Sequence, residues 1–258
     1  MILMVTGAAG HIGSHLIRTL PNSLNVKKII LVDNMISNRY CSFFCLPEKT
    51  KYKFLQFDLA KDDYEALPKS DIVLHFAAKT DAAQSSKYED EFYSNNLEST
   101  KNIINYCNKY NSKFIFASTT SIYGPQSELV DENCSESDLN PQSPYADVKM
   151  IEEKLISENQ NFTDKNFIIL RLGTIYGFSP GIRFHTAVNK FCFQASIKKP
   201  LTVWKTAFLQ KRPYLSLDDL SNAIIHIINK NLFSNCIYNL VSKNCTVKEI
   251  IDIIKKYS

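Results

Sequence analysis

Tyr145 and Lys149 stand four residues apart in the run Tyr-Ala-Asp-Val-Lys, and no other of the 13 tyrosines has a lysine at that spacing. On a helix, positions i and i+4 share a face. An ammonium beside a phenol favours the phenolate, so the pair predicts a tyrosine that titrates well below its ordinary value of about 10 and serves as a base. Twenty-six residues before Tyr145 comes Thr119, within the hydroxyl run Ser118, Thr119, Thr120 and Ser121. A hydroxyl there, at the end of a strand, could relay a proton at the same edge.

A second group of residues points to a dinucleotide. The chain has seven glycines in 258 residues, against about 18 at average usage, so each survivor marks a place where a side chain would not fit. Three of them, Gly7, Gly10 and Gly13, lie in Thr6-Gly7-Ala8-Ala9-Gly10-His11-Ile12-Gly13 between an apolar run and a helical pattern. That order allows a tight turn whose backbone approaches a pyrophosphate resting on the helix N-terminus. Asp33 follows Gly13 by twenty residues at the end of the next apolar run, where a carboxylate accepts hydrogen bonds from ribose hydroxyls. It would repel a ribose 2′-phosphate, which favours NAD over NADP, with Arg39 nearby as the residue arguing the other way. Asp58-Leu59 and His75-Phe76-Ala77-Ala78 end two further runs, where the ligand of a doubly wound sheet crosses.

The elements that must position these groups follow from the hydrophobic pattern. Apolar β-rich runs at 2–5, 28–33, 52–57, 71–77, 113–117 and 167–172 alternate with helical patterns at 11–20, 92–110 and 144–158. Continuous apolar strands separated by helices predict an α/β fold, a doubly wound parallel sheet of Rossmann type covered on both faces. Ser143 and Pro144 read as the N-cap and first position of the helix carrying Tyr145. Later the pattern predicts helices at 185–198 and 219–230, short strands at 201–204, 214–217 and 237–241, and a last helix opened by a capping box of Thr246 and Glu249. Residues 127–143 read as one long loop, a lid ahead of the Tyr145 helix. We expect a cofactor domain over 1–170 and a smaller, interleaved substrate region over 171–258 with few C-terminal elements.

Composition narrows the classes. Apolar residues make up 45% and charged residues 22%, as in soluble globular chains. No apolar run approaches the roughly 18 residues of a membrane span, and nothing at the N-terminus reads as a signal peptide. Seven scattered cysteines without a Cys-x-x-Cys pair fit free thiols in the cytoplasm and suggest no metal site. A net charge of +4 is too mild to imply nucleic acid. Charge is uneven, however: residues 165–217 carry nine basic and no acidic residues, which suits an anionic ligand. Arg183, Arg212 and Trp204 lie in that stretch as candidate substrate contacts, Trp204 by stacking on a base or sugar.

Taken together, the motifs TGAAGHIG (6–13), VDN (32–34), DL (58–59), HFAA (75–78), NNLESTKNII (95–104), STTSIYG (118–124), SPYADVK (143–149), RLGTIYG (171–177) and KRPYLSLDD (211–219) resemble the extended short-chain dehydrogenase/reductases, in particular the NAD-dependent nucleotide-sugar epimerase/dehydratase group. The resemblance runs over nearly the whole chain. It implies Thr119, Tyr145 and Lys149 as catalytic residues. It implies cofactor contacts from Gly7, Ala9, Gly10, His11, Ile12, Gly13, Asp33, Asn34, Asp58, Leu59, Phe76, Ala77, Ala78 and Asn96, together with Tyr145 and Lys149. Thr119, Thr120, Thr174, Arg183, Trp204 and Arg212 are then expected around a nucleotide-sugar substrate, with Arg212 on the diphosphate. A homodimer through the helices at 92–110 and 146–158 is implied as well.

Two departures bear on the reaction. Dehydratases of the group usually carry Asp-Glu after the catalytic threonine, whereas this chain has Thr120 and Ser121. The group's Arg-x-x-Asn reads Arg171-Leu-Gly-Thr174, which keeps a hydrogen-bonding group and loses the amide. The expected activity is epimerisation of a nucleotide-linked sugar, at C4, through a transient keto-sugar. The alternatives are a dehydrogenase or reductase of a related sugar that exchanges NAD(H), and a cofactor-binding protein with little turnover.

Overall fold

The structure is a computed structural model that describes residues 1–80, 85–125, 130–162, 166–203 and 205–257. Seven parallel strands form the main sheet: β1 (Ile2–Thr6), β2 (Lys28–Asp33), β3 (Lys51–Gln56), β4 (Ile72–His75), β5 (Lys113–Thr119), β6 (Phe167–Leu172) and β9 (Cys236–Leu240). Their order is β3-β2-β1-β4-β5-β6-β9. Chain direction reverses its walk across the sheet at β1 and β4, and the carboxyl ends of those strands form the crevice that such sheets use for ligands. β6 is buried at every position, as expected of a strand covered on both faces.

Helices α1 (His11–Ser23), α2 (Glu89–Tyr110) and α3 (Pro144–Ser157) connect the strands. One core lies between the sheet, α1 and α5 (Leu217–Lys230), around Leu3, Leu16, Leu31, Ile168 and Ile224. The opposite core gathers Met4, Val73, Ile103, Phe114, Ile156 and Ile169. α3 starts as its sequence predicts: the Ser143 hydroxyl accepts the Ala146 N–H, and Pro144 stands in the first turn. α2 and α3 pack along each other.

A smaller lobe has its own core of Phe191, Tyr214, Cys245, Val247, Ile250 and Ile251. It is built from α4 (Ala187–Ser196), α6 (Val247–Tyr257) and the sheet β10-β8-β7. β7 (Thr174–Tyr176) pairs parallel with β8 (Lys211–Ser216), and β10 (Lys243–Thr246) pairs antiparallel with it. β7 and β10 are strands that the hydrophobic pattern does not predict, because they are short and carry no apolar run. Residues 201–203, expected as a strand, are not in one; Leu201 and Val203 pack on the small core instead. The capping box at α6 is present, with Thr246 N–H donating to Glu249 Oε2 at 2.7 Å and Glu249 N–H to Thr246 Oγ1 at 3.1 Å. No helix of the described residues is long and apolar enough to cross a membrane.

The lobes are tied by polar contacts at the glycine-rich turn. His11 Nδ1 lies 2.8 Å from Ser179 Oγ, and His11 Nε2 lies 3.2 Å from Asn189 Nδ2. The amide must donate, so Nε2 accepts and the ring is neutral with its proton on Nδ1. Burial, then the nearby Arg183 charge, push the His11 pKa down to about 4. His75, the buried last residue of β4, is pushed down to about 3 by burial and by Lys149. Both histidines are depressed in the folded protein, so between about pH 4 and 6.5 the unfolded chain binds the extra protons. Stability is therefore full above pH 6.5 and falls as the pH drops. Burial lowers the His15 pKa as well, so urea unfolding followed from pH 7.5 to 4.5 should show a slope of about two protons or more, reduced in His11→Gln and His75→Gln; a flat profile refutes the assignment.

Candidate active site

At the end of β1 the chain turns sharply through Gly7, whose φ is +66° and whose absent Cβ would lie 2.8 Å from backbone atoms of Phe76 and Ala77. No other residue permits that approach of the turn to the end of β4. α1 then opens at Gly10 with no side-chain cap and no acid in its first turn, an arrangement that suits an anion. Asp33, at the carboxyl end of β2, accepts the Ala9 N–H at 2.9 Å through Oδ2 and the Met35 N–H at 2.9 Å through Oδ1. A carboxylate has about four acceptor directions, which leaves two for ribose hydroxyls. An uncapped helix start, a turn closed to any side chain and a fixed carboxylate fit a dinucleotide.

The segment 179–181 lies directly on this turn. A Cβ on Gly181 would sit 2.4 Å from the Ala9 carbonyl and 2.5 Å from that of Gly10, and the Gly181 N–H donates to Ser14 Oγ at 3.0 Å. Gly181→Ala must push these carbonyls aside. The expected result is NAD binding weakened about tenfold, roughly 1.4 kcal/mol, measured by calorimetry on protein with unchanged circular dichroism; wild-type affinity would show that the contact does not shape the cradle.

Across the crevice Thr119 ends β5 and Tyr145 occupies the first turn of α3. The Thr119 hydroxyl lies close enough to lower the phenol's pKa and accepts the Ser121 N–H at 3.1 Å, so the two expected proton-transfer residues share this end of the sheet. The ionisation differs from the expectation. Burial and the Glu152 carboxylate push Tyr145 up to about 12, against opposing effects of Arg183 and Thr119. Lys149 has another partner: its ammonium pairs with Glu152 at 3.1 Å and lies 4.4 Å over the Phe116 ring. In the protein alone, the lysine charge is thus spent on a carboxylate that the i, i+4 spacing does not reveal.

Other candidate residues have assigned places. Asn96 is buried and braces the backbone after β4, accepting the Lys79 N–H at 2.8 Å and donating to the Lys79 carbonyl at 3.0 Å. Phe76 and Ala77 give their N–H groups to Thr6 Oγ1, and Ala78 follows half-buried. Asn34 turns its amide oxygen to the Ile36 N–H. Asp58 accepts the Ala60 N–H and lies 3.6 Å from Lys61, while Leu59 is buried. Ile12 packs half-buried on the α1 side of the core. Thr120 donates to the Leu172 carbonyl, Thr174 opens β7, and Arg183 reaches Thr80. Arg212 is exposed on β8, bonded to Gln210. Trp204 lies outside the described residues.

Sequence reasoning did not single out Glu152 and Glu153, because adjacent acids in a helix read as a solvated face. Both are buried. Glu153 takes Arg171 of β6 in a bidentate pair at 2.8–3.2 Å and also accepts from Ser118. Arg171 further donates to Tyr123 at 2.9 Å, and Tyr123 to Asn239 at 2.9 Å. The arginine of Arg171-Leu-Gly-Thr174 is therefore a fastening between α3 and the sheet. Glu153→Ala leaves the guanidinium buried without its anion, which costs about 3–5 kcal/mol; urea denaturation should show that loss, and a change below about 1 kcal/mol would mean that the pair is replaceable.

The comparisons accord with this geometry. The model of the NAD dependent epimerase/dehydratase family matches residues 3–240, and the chain belongs to that family. NAD is the family's cofactor. A dTDP-D-glucose 4,6-dehydratase of Dictyostelium discoideum is 31% identical over 97% of this chain, which spans 62% of that relative's length. A UDP-glucose epimerase of Bacillus subtilis, itself uncharacterised, is 29% identical over 100% of this chain and 82% of its own. Among solved structures, UDP-glucuronic acid 4-epimerase of Bacillus cereus, in complex with UDP-glucuronic acid and NAD, aligns with a TM-score of 0.86. It is 26% identical over 99% of this chain and 82% of that one.

Proposed function

We propose that the protein is an NAD-dependent epimerase of a nucleotide-linked sugar, acting at C4. The observation that carries this choice is the segment after Thr119. Thr120 and Ser121 stand where an acid would expel water, and Thr120 has already given its hydroxyl to the Leu172 carbonyl. Glu152 and Glu153 are committed to Lys149 and Arg171. The solved UDP-glucuronic acid 4-epimerase supports the same reading, and the relative that is a 4,6-dehydratase supports the competing one.

NAD supplies a hydride acceptor and donor in such a site. Thr119 and Tyr145 hold the sugar hydroxyl between them, and Tyr145, as the phenolate that the positive charge of a bound NAD would favour, receives the hydroxyl proton as the carbon is oxidised. The neighbouring positive charge of Arg183 opposes the effects that raise the phenol. Once the keto-sugar turns over, Tyr145 returns the proton to the new hydroxyl. The glycine-rich turn and Asp33 bind the cofactor, with Asp33 selecting NAD over NADP. The smaller lobe after residue 170 contacts the nucleotide sugar, Thr174 and Arg183 near the sugar and Arg212 on the diphosphate. A homodimer through α2 and α3 and a cytoplasmic location complete the proposal.

The test is isomer conversion of nucleotide sugars, read by chromatography with no net NADH formed. Tyr145→Phe should lower turnover by about 10²–10⁴-fold with NAD binding intact, and retained turnover in that variant would sink the mechanism. Loss of water to a 4-keto-6-deoxy product would favour dehydration. Net NADH formation would favour an exchanging dehydrogenase.

A further inference from the structure

Thr119 is held from both sides by buried side chains. Before it, Ser118 donates to Glu153, which takes Arg171 of β6 in its bidentate pair. After it, the chain makes one tight turn, Thr120–Tyr123, which Thr119 itself caps: its Oγ1 accepts the Ser121 N–H at 3.1 Å. The hydroxyl proton is then left for donation. Tyr123 closes the turn with its side chain buried. Its phenol is the middle of a chain of bonds that can run in one direction only. Arg171 Nη1 donates to the Tyr123 oxygen at 2.9 Å, and an arginine cannot accept. The single phenol proton goes to Asn239 Oδ1 of β9, also at 2.9 Å. The Asn239 amide then turns Nδ2 to Glu132 Oε2 at 2.9 Å, and a carboxylate only accepts. A cation at one end and an anion at the other strengthen the bonds between them.

Glu132 belongs to the stretch 130–142 that leads into α3. The same stretch meets the turn a second time. The Asn140 N–H donates to the Ile122 carbonyl at 2.9 Å, and a Cβ at Gly124 would collide with the Asn140 carbonyl oxygen. We propose that Glu132 is a positioning residue for Thr119: through Asn239 and Tyr123 it straps the stretch 130–140 onto the turn Thr120–Tyr123 and so fixes the direction of the Thr119 hydroxyl. The inference rests on Thr119 as a hydroxyl that holds the sugar. Without the Glu132 carboxylate, the Asn239 amide loses its anion, and the stretch is held to the turn at Asn140 alone. Tyr123 is then less firmly placed, and the Ser121 N–H that orients Thr119 opens more often.

The experiment measures amide hydrogen exchange by NMR on NAD-saturated protein at Ser121 and, inside the sheet, at Val5 of β1, which reports global opening. Glu132→Ala should speed exchange at Ser121 at least about tenfold and leave Val5 within about twofold of wild type. Glu132→Gln keeps an oxygen for Asn239 and should stay within about threefold at Ser121. Asn239→Leu cuts the chain at its middle and should free Ser121 at least as much as Glu132→Ala does, so the proposal can be judged on either variant. An unmoved Ser121 overturns it, as does an equal rise in Glu132→Gln or a rise of the same size at Val5. On a sugar that turns over, kcat and kcat/KM should fall together by about tenfold in Glu132→Ala. A higher KM at unchanged kcat would make Glu132 a binding contact and overturn the idea. The exchange measurement needs no substrate. A change at Ser121 without any sugar turnover would therefore fail the proposed reaction alone, and turnover with Ser121 unmoved would fail this inference alone.

Discussion

The helix that carries the phenol can dock on the sheet only if two consecutive glutamates find cations in the interior. Glu152 and Glu153 point into different neighbourhoods of the same buried face, one toward Lys149 and Thr100, the other toward Arg171 and Ser118. An unpaired charge there would be prohibitive. The register of α3 against β5 and β6 is thereby fixed to within a side chain. Tyr145, seven and eight residues earlier on the same rigid rod, inherits that precision. Catalytic geometry of this kind comes from the supporting shell rather than from the reacting residues themselves.

The same economy governs the cofactor side. Close approach of the turn at Gly7 to the end of β4 brings the strand ends together, and Thr6 fastens it by accepting two backbone N–H groups. The small lobe then presses on the turn from outside through Gly181, while His11 reaches out to Ser179 and Asn189. His11 stands in the glycine-rich octet, but its ring serves the joint between lobes. Cofactor site and substrate lobe share one piece of backbone, so a strain on either is felt by the other.

Much of this was legible before any coordinates. β2 and β6 lie at the bounds their apolar runs suggest, Ser143 and Pro144 open α3, and Thr246 with Glu249 opens α6. These are local signals: period, caps and composition. The small sheet was hidden because β7 follows β6 across a single glycine and β10 is polar. Glu152 was hidden for a different reason. Helical spacing says which residues share a face, but not whether a charged residue on it meets water or a lysine. The spacing of Tyr145 and Lys149 is real, while the ammonium meets Glu152 and the ring of Phe116.

β9 has a consequence for how the protein is made. It comes from residues 236–240 and zips alongside β6, which ended at Leu172. Until that late segment has emerged from the ribosome, β6 is the rim of an unfinished sheet, apolar except for Arg171 and with a row of unpaired backbone groups. α5, which covers α1, arrives scarcely earlier. The growing chain therefore carries a sticky, template-like edge through more than sixty residues of synthesis, a period in which chaperone protection or a neighbouring nascent chain decides between folding and aggregation.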